Sequence, residues 1–173
     1  MKVNLPNIQF CPACGGELAL IDTEGRDRPV CTDCGHIVYI NPIPAIALVV
    51  IDEQRRVLLV LRSVEPKKGD WCLPGGFLEW GEHPKEGGAR ELFEETGVTA
   101  GEMELVGAYD SVTGTCRHVL VLAYRVKDWS GEEIAGDDAD AVAWYSLDDM
   151  PKLAFDNHEL ALKDAFDQIE KNM

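Results

Sequence analysis

Glu91, Glu94 and Glu95 stand three and four residues apart, so a helix through them brings three carboxylates together within one turn. Left unpaired, the cluster repels itself. A hard divalent cation relieves it, because Mg²⁺ takes oxygen ligands in an octahedron and usually shares its sphere with substrate phosphates. Arg90, four residues before Glu94, is the local counter-charge. A second constellation lies near the N-terminus, where Cys11-Pro-Ala-Cys14 and Cys31-Thr-Asp-Cys34 are each followed by a glycine. Four thiolates close a tetrahedral zinc site and leave no open position, which makes the role structural. A redox pair needs a helix N-terminus and no second copy. Haem attachment needs a histidine directly after the second cysteine, but Gly35 precedes His36. An iron–sulfur centre uses the same ligands, and spacing alone leaves that alternative standing.

The elements that position these groups are legible in outline. Pro84 suits a first helical position and Gly97 the position just past a helix end. Glu86, three residues after His83, reaches back to the first-turn donors. Ala89, Leu92 and Phe93 form the face expected to pack on a sheet. Gly87 and Gly88 each cost about 1 kcal/mol against Ala inside a helix, so either the helix starts late or close packing demands them. Ala45–Ile51 reads as a strand buried on both faces, Val57–Arg62 as a second strand, and the polar turn between them suggests a β-hairpin. Leu73-Pro74-Gly75-Gly76 lets the backbone approach a ligand closely, so a carbonyl near Gly75 is a candidate metal ligand. Further strands are expected at 104–110, 117–126 and 144–147, with an acidic loop over 127–141 and a last amphipathic helix over 157–171 whose apolar side includes Leu160. Strands alternating with helices give an α/β class.

Net charge is −15, from 16 Lys plus Arg against 31 Asp plus Glu. Such a surface disfavours a nucleic-acid backbone, whose binding needs cationic side chains, so no nucleic-acid partner is expected. No apolar run approaches the roughly 18 residues of a membrane span, and MKVNLPNIQF lacks an apolar signal region. No membrane partner and a cytoplasmic location are expected, and a homodimer is left open.

Gly76, Glu82, Arg90, Glu91, Leu92, Glu94, Glu95, Gly97 and Val98 fill every fixed position of the pattern G-x5-E-x7-R-E-U-x-E-E-x-G-U, where U is aliphatic. The chain therefore resembles the Nudix hydrolases over roughly residues 42–173, and the cysteine pairs resemble a zinc ribbon over 1–41, with Asn41-Pro-Ile-Pro44 as a stiff linker. The resemblance implies an α/β/α sandwich with a mixed sheet. It also implies Mg²⁺ (or Mn²⁺) held by Glu91, Glu94 and Glu95, with Gly75 and Glu82 as further candidates, and a structural Zn²⁺ on Cys11, Cys14, Cys31 and Cys34. Arg90 would hold the cluster through Glu94. Glu82 would contribute through water or by steadying Arg90. The general base would be Glu91 or an acidic residue of the downstream loop, here Asp138, with Glu133 behind it.

The implied reaction is hydrolysis of a nucleoside diphosphate linked to another moiety, with a small-molecule nucleotide as partner. A ribbon ahead of the catalytic domain resembles the NADH pyrophosphatase arrangement, but their SQPWPFPxS motif is absent from AYDSVTGTCRH, as is the proline that marks many ADP-ribose pyrophosphatases. A nucleoside triphosphate substrate and a non-catalytic nucleotide-binding regulator are the alternatives. Expected substrate contacts are Arg62, Tyr109 and Arg117. Trp71 is read as either core or pocket wall.

Overall fold

The computed structural model describes residues 8–112 and 118–171. In chain order the elements are β1 (Leu18–Thr23), β2 (Arg26–Cys31), β3 (Ile43–Val50), β4 (Val57–Arg62), β5 (Trp71–Cys72), α1 (Pro84–Thr96), β6 (Thr99–Ala100), β7 (Met103–Val112), β8 (His118–Val126), β9 (Trp129–Ser130), β10 (Ala139–Tyr145) and α2 (Asp156–Lys171). They divide into two compact units, one reaching Pro42 and the other built on Ile43–Ser111 with 119–171. In the first, β1 and β2 pair antiparallel from Leu18↔Cys31 to Thr23↔Arg26.

In the second unit β3 alternates between two cores, as a strand covered on both faces must. Ala45, Ala47 and Val49 join Val57, Leu59, Val121 and Ala123, and on this face α2 buries Ala161, Leu162, Ala165 and Phe166. Ile46, Leu48 and Val50 join Leu58, Val98, Tyr124 and Val126, and on this face α1 buries Leu92. The result is helix, strand layer, helix, which is the expected sandwich.

The expected β3–β4 hairpin does not form. The turn is there, with the Asp52 carboxylate accepting from the Arg56 amide at 2.7 Å, but only an isolated Ile51↔Val57 bridge joins the two strands. β3 instead pairs in parallel with β8 from Ile43↔Val119 to Val50↔Val126. β4 pairs antiparallel with β10 and β5, giving the orders β10-β4-β5 and β3-β8-β7. An apolar run buried on both faces says nothing about which strand lies at its edge, which is why the sequence misassigned the partner.

Two helical faces are also rotated from expectation. On α1 the buried positions are Gly87, Gly88, Leu92, Glu95 and Thr96, while Phe93 is 58% exposed. A Cβ on Gly88 would stand 3.2 Å from Leu48 Cδ2, and one on Gly87 would collide with Leu78 and Glu82. Gly88 lets the helix sit close to β3 and Gly87 leaves room for Leu78 and Glu82, and the helix does start at Pro84. On α2 Leu160 is exposed, and Asn157, His158 and Ala161 take the inner face. Finally, β10 begins at Ala139, earlier than expected, with a register shift between Ala139 and Ala141.

Candidate active site and ribbon site

α1 starts on a reciprocal cap. The His83 side chain accepts from the Lys85 amide, and Glu86 accepts from the His83 amide. It ends at Gly97, in the left-handed conformation with φ 71°. So fixed, the helix presents Arg90 to four acceptors. Its Nε donates to Glu82 Oε1 at 2.8 Å, and Nη1 donates to Glu91 Oε1 and Glu94 Oε2, both at 2.9 Å. Nη2 donates to Glu82 Oε2 at 3.1 Å and to the Phe77 carbonyl at 3.3 Å. Glu82 also accepts from the Glu79 amide, and the Arg90 bonds hold its carboxyl down at about 2. The three carboxylates in turn raise Arg90 above its ordinary value. Of the two roles read for Glu82, steadying Arg90 is the one this geometry displays.

Facing α1 is the segment 73–78, paired with the first half of β3. Ile46 and Leu48 donate their amides to the Gly76 and Pro74 carbonyls, each at 2.8 Å, and the Leu78 amide donates to the Pro44 carbonyl at 3.2 Å. Gly75 has φ +143°, and a Cβ there would run into the Ile46 carbonyl. Its amide points away from β3 and donates to Glu95 Oε2 at 2.8 Å. A Cβ on Gly76 would stand 2.6 Å from Glu91 Oε1, so Glu91 fits against bare backbone.

Burial raises Glu95 to about 8, against the pull of the Gly75 amide. Burial also raises Glu91, opposed by Arg90. The charges of Asp138 and Asp137 reach Glu95 and Glu91 respectively and push the same way. Both aspartates end the loop 131–138, which lies along the end of α1. The Ile134 amide donates to the Thr96 carbonyl at 2.8 Å, Gly136 to Glu95 at 3.2 Å, and the Ser63 amide to the Asp138 carbonyl at 2.8 Å. Asp137, at φ 45°, is a site neighbour that sequence reasoning passed over. Its signal was adjacency to Asp138 in the same acidic run. Glu133 is engaged elsewhere, accepting from Trp144 Nε1 at 2.8 Å.

The expected substrate contacts lie apart from this cluster or are occupied. Arg62 donates to the Pro66 and Val64 carbonyls at 2.7 and 3.4 Å and lies over the Phe155 ring, so its donors hold its own loop. Tyr109 belongs to β7, within the strand expected there. Its hydroxyl donates to Asp164 of α2 at 2.7 Å, and its ring packs on the core beneath that helix. Trp71 stacks edge-on with Tyr145 at 5.1 Å and packs on the same core. Arg117 lies outside the described residues.

In the ribbon unit the two cysteine pairs make matching knuckles. Cys11 donates its amide to the Gly16 carbonyl and accepts from Gly15, and Cys31 donates to His36 and accepts from Gly35. All four sulfurs lie within 4.8 Å of one another, and no disulfide is present among the described cysteines. A tetrahedral zinc fits this set of donors.

Residues 41–165 match the NUDIX domain family. The chain belongs to the Nudix family. Residues 9–40 match the zinc-ribbon family described as Nudix N-terminal, so the chain is a Nudix hydrolase carrying a zinc ribbon. It is 39% identical over 128 residues to an ADP-ribose pyrophosphatase of Methanocaldococcus jannaschii, covering 73% of this chain and 75% of that one. It is 31% identical over 146 residues to the NAD-capped RNA hydrolase NudC of Pseudomonas aeruginosa, covering 84% of this chain but only 50% of that protein. A Nudix hydrolase of Nitrosomonas europaea superposes with a TM-score of 0.70 at 28% identity, over 90% of this chain and 89% of the other.

Proposed function

We propose that this Nudix hydrolase uses Mg²⁺ (or Mn²⁺) to cleave the diphosphate of a nucleoside diphosphate linked to another moiety, with ADP-ribose or NADH as representative substrates. The observation that carries the reading is the convergence of Glu82, Glu91 and Glu94 on Arg90, with Glu95 on the Gly75 amide beside them. This donor set fits a hard cation. It is all oxygen, it holds more acid than Arg90 and Arg62 can balance, and burial of Glu91 and Glu95 makes their uncompensated charge costly.

Glu91, Glu94 and Glu95 would hold the metal, with the Gly75 carbonyl as a further ligand. A bound Mg²⁺ supplies charge neutralisation at the diphosphate and lowers the pKa of coordinated water. The protein does the rest. Arg90 keeps Glu91 and Glu94 in register, Glu82 keeps Arg90 in place, and Glu91 or Asp138 accepts the proton of the attacking water. The ribbon of residues 1–41 contributes a folded module around its own zinc and takes no part in the chemistry of residues 42–173.

Support for the substrate class comes from two relatives, named for ADP-ribose and for NAD-capped RNA. ADP-ribose and NAD share an internal diphosphate flanked by two groups. The second name leaves the charge of −15 as the sole argument against an RNA substrate. Measured kcat/KM for ADP-ribose, NADH, NAD-capped RNA and nucleoside triphosphates, with Mg²⁺ or Mn²⁺, tests the proposal. Metal-dependent release of a nucleoside monophosphate from ADP-ribose or NADH is expected. A tenfold preference for a triphosphate would overturn the substrate class, and turnover of nothing would point to a nucleotide-binding regulator.

A further inference from the structure

The 73–78 segment has two edges. One is fastened to β3 through Pro74, Gly76 and Leu78. On the alternate residues the backbone groups turn outward, and three of them meet a side chain. The Phe77 carbonyl accepts from Arg90 and the Gly75 amide donates to Glu95, both partners lying on α1 within the Nudix box. The third outward group is the Leu73 amide, and it donates to Nδ1 of His158 at 3.2 Å. That histidine comes from α2, on the opposite face of the strand layer and 85 residues away in sequence.

The bond is a buried one at both ends. Leu73 is fully buried and His158 is 8% exposed. An amide stranded there without an acceptor would cost about 1–3 kcal/mol, and His158 is the acceptor it has among the described residues. Because Nδ1 accepts, the ring is the neutral tautomer with its proton on Nε2. Desolvation keeps it neutral, with the nearby Arg62 charge acting in the same direction. The ring is itself held edge-on by Phe155 at 5.1 Å. A histidine so placed is a fixed acceptor and stays uncharged at neutral pH.

We propose that His158 is a positioning residue for the Nudix site: by anchoring the Leu73 amide it sets the outward edge on which Gly75 meets Glu95 and Phe77 meets Arg90. The inference rests on the functional reading above only in its last step, from edge to metal. It makes α2 part of the site's scaffold, although no residue of that helix belongs to the box.

The test uses the full chain with His158→Leu, which removes the acceptor, and His158→Asn, whose Oδ1 can replace Nδ1. If His158→Leu fails to fold, His158→Gln takes its place, because glutamine carries its polar end near the Nε2 position. Amide exchange at Leu73 and Gly75 is read without metal or substrate, Mn²⁺ affinity by calorimetry, and kcat and KM by turnover. With the acceptor gone, both amides should exchange faster while Val49 and Thr96 stay protected. Mn²⁺ affinity should fall about 10-fold, as for loss of a ligand-supporting partner, and kcat should fall more than KM rises. His158→Asn should recover most of each effect. Unchanged Gly75 exchange and Mn²⁺ affinity in a folded variant lacking the acceptor would overturn the proposal, as would equal damage from Asn. A wild-type chain that hydrolyses nothing would remove the functional reading and leave the exchange result to stand or fall alone.

Discussion

The ribbon draws all four of its sulfurs from two short knuckles of the same design, each closed by its own backbone bonds and its own glycine. The acidic site draws on α1, on the 73–78 segment, on the loop 131–138 and, through His158, on α2. The ribbon's ligands are one residue type with no counter-ion among them. The acidic site sets carboxylates against an arginine that takes their charge until something else does. A site meant to stay closed can be written locally. A site that must admit and release a ligand needs partners from far apart in the chain, and much of its precision lies in main-chain amides and carbonyls.

The contrast can be broken from either side. Cys31→Ser has the largest expected effect, since structural zinc contributes on the order of 10 kcal/mol to the folding of such modules. Zinc content by atomic emission should collapse, whereas hydrolysis should persist in the folded remainder. Parallel loss of both would show that the ribbon serves the reaction. Glu94→Gln comes next. The side chain is 42% exposed, so little packing changes, yet under the proposed function a metal ligand goes, and kcat should fall about 10³-fold, or roughly 4 kcal/mol. Wild-type turnover at limiting metal would remove Glu94 from the site.

A third prediction concerns pH. His158 is held at about 4 by burial first and by Arg62 second, below the ordinary histidine value of 6.5. The unfolded chain therefore takes a proton that the folded chain refuses. Stability from this group is complete above about pH 6.5 and declines as pH falls toward 4, by at most roughly 3 kcal/mol. Urea midpoints between pH 7 and 4 measure it, and His158→Asn should flatten that part of the profile. The smallest effect should come from Phe93→Ser. Phe93 lies on the solvent side of α1, and its loss should change stability by less than about 0.5 kcal/mol. A drop of several kcal/mol would restore it to the core.

These outcomes follow what could be read in advance. Side-chain spacing carried the cysteine knuckles, the caps of α1 and the contact of Arg90 with Glu94, because each is decided within a few residues. It failed where two surfaces competed for one strand. β3 is apolar throughout, so nothing in it marks β8 as its partner or excludes β4. It failed again on α1 and α2, where larger apolar residues outbid smaller ones on paper. Gly88 and Ala161 pack because they are small, while Phe93 and Leu160 face outward. His158 was within reach, since Asn157 and His158 precede Ala161 and Leu162 by one helical turn and so share their inner face.

β3 has both of its edges engaged, by β8 along residues 43–50 and by the 74–78 segment along 44–48. The strand at the centre of both cores is therefore also the rail on which the glycine turn of the site is mounted. Most active-site loops loosen well before their scaffold does. Here the turn can leave its place only by giving up hydrogen bonds to the most deeply buried strand, so warming should not produce a folded but inactive form. The temperature at which half the activity is lost and the temperature at which half the protein is unfolded should coincide, and thermal inactivation should be as cooperative as melting.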